Sequence, residues 1–541
     1  MVFSTTLLAL GLLLLTLATC TDAFGPRLGG PLRRRPGLVA ALGLLLVLAW
    51  QVGRIRGEEY NVDESTWIAD ALAVLRSGNF FSALLTHTTA RPLTVLPLLP
   101  LAWLHLPLDF YHVKVVALLL ITLSLGLTYL TLRNLTTARF AALGLLPLLV
   151  FYLVVQFDDF LAYNSELTCN VLVGAGLWLY SLLRQRRGRA WQLALVGGLL
   201  GLIPFAKFQA IPGALVVAGF CLYECLRARR LGAAALLVAA GVLPLAVAVV
   251  YCQLTGQLTV LVRDYFLYYF HYSYQYSAQP VAERSAPRNV LYYYRKQYTF
   301  AAYWFGLLAL GAVALWQVRR GFQVAAPLLM AALLWAISIY ETIQSGTGFE
   351  HYLSLVLVPH TLLLALLLFP AYARPAGRPV VVWGGVVAVA GLLTCFSRTK
   401  PFDRGYFPPL PYDAQVVALI RQQCRPHDHL AIWGWADRYY VLSGVAPATR
   451  YANSVFQMKP NAQQAYYLRQ YAEDLAHSRP PLFIDAVAKN QFVYDSAAAN
   501  GHERYPRLDS LVRADYRLIY QHAGLRAYRR KDAPRATAAV R

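Results

Sequence analysis

Twelve unbroken apolar stretches, each close to the length of a bilayer crossing, constrain this chain more than any other feature of it. A hydrocarbon core takes about 20 apolar residues of helix, with ~17–25 tolerated. On that rule, membrane helices are expected near 2–20, 37–53, 111–132, 140–156, 166–183, 190–206, 208–226, 231–252, 300–318, 322–340, 351–371 and 379–397. Composition agrees: 58% of the 541 residues are hydrophobic and 14% charged, against roughly 45–50% and 25% in soluble domains. The expected fold class is therefore a polytopic α-helical membrane protein of about 12 transmembrane helices, followed by a C-terminal α/β domain. The seven cysteines are scattered singly, which excludes a disulfide-built outer domain and a cysteine metal cluster. Cys221 and Cys225, one turn apart in an apolar run, read as packing.

Charge then orients the chain. Alternate connections carry Arg27, Arg33, Arg34 and Arg35; Arg133 and Arg139; Arg184, Arg186, Arg187 and Arg189; Arg227, Arg229 and Arg230; Arg319 and Arg320; and Arg374 and Arg378. That is 17 Arg against the single acid Asp22, the signature of cytoplasmic loops. The net charge of +22 is thus a topology signal, and no nucleic-acid partner is expected. The remaining connections, 54–110, 157–165, 253–299, 341–350 and the tail from 398, are acidic or long, so both termini are expected outside. No basic residue precedes the apolar run 2–20, so it reads as a membrane helix even though Leu17–Cys20 loosely resembles a lipoprotein cleavage box.

Two domains follow: 1–397 in the membrane, and 398–541 as an extracytoplasmic α/β domain with strands near Leu430–Trp433 and Leu482–Ile484. Within the first outer loop, Glu64 to Ser77 has an apolar stripe at helical spacing that ends at Gly78. It is expected to lie on the membrane surface, apolar side down. Pro92 to Pro107 is hydrophobic but broken by four prolines, and is expected at the interface rather than across it. The loop 253–299 is rich in tyrosine (Tyr265, Tyr268, Tyr269, Tyr272, Tyr274, Tyr276, Tyr292, Tyr293, Tyr294 and Tyr298). It reads as an interfacial aromatic belt or a stacking platform for a sugar or head group.

The candidate chemistry lies in the acidic outer segments. Asn61-Val62-Asp63-Glu64-Ser65 opens the surface helix. Asp63 is placed either to cap that helix or to take a proton from an acceptor hydroxyl. A second cluster runs from Asp158 and Asp159 to Glu166, and acids at the mouth of a helix pair tend to be functional. Carboxylates from the two loops could share a divalent metal or divide the base and orienting roles. Lys207, Arg91, Arg295 and Lys296 sit on the same side, where a cation suits a lipid-linked phosphate. His351 and Tyr352 open a late span, His351 reading as a phosphate donor or a satisfied interface histidine.

An Asp-Glu pair in a long first outer loop, followed by a helix ending in Arg76-Ser77-Gly78-Asn79, resembles the GT-C glycosyltransferases. The similarity is greatest to bacterial members of the protein O-mannosyltransferase and aminoarabinose transferase group. Asp158–Glu166 falls where that group has its second acidic loop, and Phe349–Pro359 resembles its aromatic-His-Tyr segment. Ile432-Trp433-Gly434-Trp435, Val441–Gly444 and Arg450-Tyr451 resemble its outer tail. The resemblance implies transfer of a sugar from a polyprenyl-phosphate donor to a lipid, glycan or protein acceptor on the outer face of the cytoplasmic membrane. It makes Asp63 the base and gives Lys207 or a nearby cation the donor phosphate. Many members carry an Arg before the second acidic loop, and Val154-Val155-Gln156-Phe157 has none. A transporter or flippase of lipid-linked sugars is the alternative, but the spans read as nearly charge-free, Glu224 being the main exception, and no repeat is evident. An O-antigen ligase or polymerase would rely on outer Arg and His rather than on an acidic first loop.

Overall fold

A computed structural model describes residues 2–20, 34–85, 91–155, 158–185, 189–268, 311, 325–344, 349–398, 409–425, 427–488 and 496–534. The helices that matter for the site are α1 (Val2–Cys20), α2 (Pro36–Val52), α3 (Val62–Ser77), α4 (Phe110–Leu135), α5 (Ala138–Val154) and α6 (Ser165–Arg184). They continue as α7 (Ala190–Gly201), α8 (Ile211–Arg227), α9 (Leu231–Leu254), α10 (Ala326–Ile343), α11 (Ser354–Ala373) and α12 (Arg378–Arg398). Eleven of the expected crossings coincide with one of these helices, and the remaining one, 300–318, lies outside the described residues except for Gly311. Among the described residues, six stretches are long and apolar enough to cross a membrane: Phe110–Leu135, Ser165–Arg184, Phe208–Arg227, Leu231–Leu254, Ala326–Ile343 and Glu350–Ala373. The expected count of 12 thus exceeds what helix length alone supports, because Ser4–Thr19, Pro36–Val52, Ala138–Val154, Ala190–Phe205 and Arg378–Thr394 are apolar but shorter.

Sequence explains the packing order. α5 is apolar on every side and sits at the bundle centre, touching α1, α2, α4, α11 and α12. α9 is equally apolar but mostly exposed, so its surface is left for lipid. α7 and α9 meet backbone to backbone: a Cβ on Gly197 would collide with the Leu237 carbonyl, and one on Gly201 with that of Gly241. This small-residue contact is a membrane device, and Gly197-x-x-x-Gly201 is its sequence mark.

The C-terminal segment folds on a five-stranded sheet in the order β2-β1-β3-β5-β4. Its strands are β1 (His429–Trp433), β2 (Ala446–Pro447), β3 (Leu482–Asp485), β4 (Tyr516–His522) and β5 (Leu525–Arg530). β2, β1 and β3 run parallel, and β3–β5 and β5–β4 pair antiparallel. β1 and β3 are covered on both faces and so read as unbroken apolar runs. The β4–β5 hairpin turns at Ala523-Gly524, both at positive φ, as tight hairpins require.

One expectation is corrected. α3 does not lie free on a membrane surface, because its polar side is buried too, including Glu64, Ser65, Thr66 and Asp70. Ala69 belongs to the C-terminal core and Leu72 packs against it, so the tail covers the face that was expected to meet water. Gly78 ends the helix at φ 65, the left-handed cap position. The Pro92–Trp103 stretch, expected at the interface, is broken at its prolines into three short helical pieces.

Candidate active site

The start of α3 is fixed by Asn61, whose side chain accepts the Asp63 backbone N–H at 2.8 Å. Asn61 is therefore the cap, and the expectation that Asp63 caps the helix is set aside. The Asn61 amide also reaches across the molecule, donating to Asp159 Oδ1 at 2.8 Å and lying 3.3 Å from His351 Nδ1. One residue thus ties the first loop, the second acidic loop and the start of α11 together.

Asp159 sits in the short turn Asp158–Phe160, which Asn164 braces by donating to the Asp159 carbonyl. His351 places Nδ1 3.4 Å from Asp159 Oδ2 and Nε2 3.7 Å from Glu166 Oε1. Lys207, in the break between α7 and α8, pairs with Glu166, donates to Ser165 Oγ at 3.2 Å and lies 4.3 Å from the centre of the Tyr352 ring. Glu166, His351 and Ser165 are all buried, so the charges are compensated within the cluster.

Asp63 faces this group. His351, Lys207, Glu166 and Asp159 all act on its charge, yet its carboxylate makes no hydrogen bond or ion pair among the described residues. Burial pushes the Asp63 carboxyl up to about 6, and His351 and Lys207 hold it from rising further. Burial also opposes ionisation of Asp159, but His351 and Asn61 outweigh it and keep that carboxyl below its ordinary range. Two neighbouring acids are thus driven apart, one towards proton exchange near neutrality and one towards fixed negative charge.

Not every expected residue joins them. Glu64 is fully buried on the other side, pairing with Lys114 Nζ at 3.1 Å and accepting from the backbone N–H groups of Tyr60 and Tyr163 at 2.9 and 2.8 Å. Asp158 lies on that side as well, pushed up to about 7 by burial and by Glu64 and Asp159. Arg91 is buried beneath aromatic rings, its Cζ 4.3 Å from the centre of Tyr265 and 5.8 Å from that of Phe208, the neighbour of Lys207. Its Nη1 is buried without a hydrogen-bond partner among the described residues. Tyr265 and Tyr268 are buried against this cation rather than spread along an interface. Arg295, Lys296 and the tyrosines from Tyr269 to Tyr298 lie outside the described residues.

Lys114 corrects the reading of charge-free spans. It is fully buried in α4, donating also to the carbonyls of Glu58 and Phe110. A lone lysine near the start of an apolar span demands an acidic partner, and that rule points to Lys114 from sequence.

The cluster does not fit a shared metal as arranged. Asp159 is engaged by Asn61 and His351, and Glu166 by Lys207 and Ser165, so their oxygens do not converge on one point. The group of acids and histidine that does converge among the described residues, Asp485, His502 and Glu503, lies at the end of β3 with the Arg526 guanidinium bound to both carboxylates. A cation already fills that place.

No protein-family model and no curated protein matches the chain. Solved structures do. ArnT from Cupriavidus metallidurans bound to undecaprenyl phosphate aligns at TM-score 0.54 and 14% identity, over 91% of this chain and 97% of that one. The oligosaccharyltransferase AglB from Archaeoglobus fulgidus, in complex with an inhibitory peptide and a dolichol-phosphate, aligns at TM-score 0.47 and 12% identity, over 91% and 74%. On the likeness to ArnT over nearly the whole of both chains, this protein shares the fold of ArnT.

Proposed function

We propose that the chain is an integral-membrane glycosyltransferase that moves a sugar from a polyprenyl-phosphate donor to a lipid, glycan or protein acceptor. The supporting observation is Asp63: a carboxylate with no partner among the described residues, poised near neutrality beside a compensated cluster of Lys207, Glu166, His351 and Asp159. ArnT, whose fold it shares, binds undecaprenyl phosphate.

In this reading Asp63 takes the proton from the acceptor hydroxyl as that oxygen attacks the anomeric carbon. The bond from anomeric carbon to phosphate oxygen breaks, its electron pair leaves with the polyprenyl phosphate, and the configuration inverts. Phosphate is a good leaving group, so the protein's task is to place the base, hold the departing anion and exclude water. Lys207 is half of an ion pair and brings little free charge. Arg91, whose Nη1 under Tyr265 and Phe208 has no partner among the described residues, suits the phosphate better. Asp159 and Glu166 hold His351 and Lys207 in place, and Glu64 is structural rather than catalytic.

The same reading sets twelve spans with both ends outside, in a cytoplasmic membrane, and makes 398–541 a separate extracytoplasmic domain. The test is to compare surface glycans and lipids by mass spectrometry between cells with and without the gene. Loss of one hexose, pentose or amino sugar from a defined acceptor is expected, with the lipid-linked sugar left on the outer leaflet; the same loss with the lipid-linked sugar trapped on the inner leaflet would indicate a transporter, and an unchanged profile would overturn both readings.

A further inference from the structure

We propose that Asp437 of the C-terminal segment is a positioning residue: through Thr66 it fixes α3 and so holds Asp63, one turn earlier, towards the His351–Lys207 cluster. This rests on Asp63 being the base.

The contact is direct and buried. Thr66 Oγ1 donates to Asp437 Oδ2 at 2.6 Å, and Asn453 Nδ2 donates to the same oxygen at 3.1 Å. Thr66, Asp437 and Asn453 are all buried. Residues three apart share a helix face, so a lock on Thr66 sets the rotation of α3 at Asp63. The Asp63 carboxylate adds no anchor of its own among the described residues: Asn61 holds the start of the helix, Glu64 holds its next residue to Lys114, and the Thr66–Asp437 contact holds the following turn.

The chemistry of the lock is that of a neutral acid. Asp437 Oδ1 is buried with no hydrogen-bond partner among the described residues, and the carboxylates of Glu59 and Asp70 and the hydroxyl of Tyr440 face the same group. Arg438, next in the chain, does not neutralise it, since its guanidinium is turned to Glu59 at 3.6 Å and Asp413 at 3.5 Å. Burial, then Asp70 and Glu59, push the Asp437 carboxyl up to about 8, with Thr66 and Asn453 partly opposing. Below that pH it is uncharged. Above it, a buried negative charge appears between two other acids, and the lock is pushed open.

The test is hydrogen exchange of the full chain in detergent micelles, read by mass spectrometry on peptides from α3. At pH 7 the wild type should be protected over 62–70, and Thr66→Val should exchange about tenfold faster there, as loss of one buried hydrogen bond implies. At pH 9, after correction for intrinsic exchange, the wild type should lose the same protection, whereas Asp437→Asn should keep it at both values. Turnover of an undecaprenyl-phosphate-linked hexose in native membranes gives the second readout. Thr66→Val should lower kcat by roughly 10–100-fold with little change in donor KM, and Thr66→Ser should restore it. Asp437→Asn should abolish an alkaline loss of activity near pH 8 while leaving the acid limb in place.

Unchanged exchange in Thr66→Val, or wild-type protection that is the same at pH 7 and pH 9, would overturn the lock. Activity retained in an Asp63→Asn enzyme whose exchange pattern is intact would instead overturn the base assignment, so the two failures are distinct.

Discussion

Asn61 accepts the backbone N–H of Asp63 at 2.8 Å and thereby takes over the one structural job that the Asp63 carboxylate could have had at a helix start. Its amide nitrogen meanwhile bonds Asp159. The two roles separate by mutation. Asn61→Ala should cost about 1 kcal/mol of stability from the lost cap and also lower activity. Asn61→Ser should recover the stability, because serine caps about as well, but not the activity, because its hydroxyl is too short to reach Asp159. Thermal unfolding and turnover, measured side by side, check this.

Glu64 and Lys114 form a buried ion pair at 3.1 Å that clamps the first loop to α4. Lys114→Met leaves the carboxylate buried and uncompensated, and should destabilise by roughly 3–5 kcal/mol. The double variant Lys114→Met with Glu64→Gln should be more stable than Lys114→Met alone, since the residual charge is gone. Glu64→Gln by itself should keep near wild-type turnover per folded molecule. A loss of turnover as large as that of an Asp63 variant would place Glu64 in the chemistry instead.

A base must be deprotonated to work. Because burial raises the Asp63 carboxyl from 3.8 to about 6, activity should be full near pH 7 and fall as pH drops through about 6. Asp159 stays ionised throughout that window, its carboxyl being held below the usual range. The pH profile of kcat/KM, which reports groups of the free enzyme, measures this directly, and an acid limb near pH 4 would mean that Asp63 is not held in this environment.

Asp437 makes a prediction about stability. Its folded-state value of about 8 lies above an unfolded value of about 4. The native chain therefore binds more protons between those values, and stability should decline as pH rises through them. Asp437→Asn should flatten that slope and unfold at a higher temperature than wild type at pH 8. Equal slopes in the two proteins would show that Asp437 ionises freely.

Much of this was legible beforehand, because membrane helices and acidic loop mouths leave a local mark. The apolar runs gave the helices, and Asp63, Asp159, Glu166, Lys207 and His351, from four separate segments, do come together. What failed was anything decided by distant pairing. Asp63 and Glu64 are adjacent in sequence but enter a helix 100° apart, so one meets the cluster and the other meets Lys114. Asp158 and Asp159 part in the same way. The amphipathic stripe of α3 showed which side is apolar, but not that Thr66 and Ala69 would be covered by the tail, since nothing local encodes a partner 371 residues away.

The central claim is that Asp63 is the base, and Asp63→Asn tests it with least disturbance. Asn61 already caps α3, so the substitution should leave expression and thermal stability close to wild type. Turnover of an undecaprenyl-phosphate-linked sugar, measured as release of undecaprenyl phosphate in membranes that contain the native acceptor, should fall by the ~10²–10⁴-fold typical of a lost acid–base group. A folded Asp63→Asn enzyme that turns over at the wild-type rate would contradict the account.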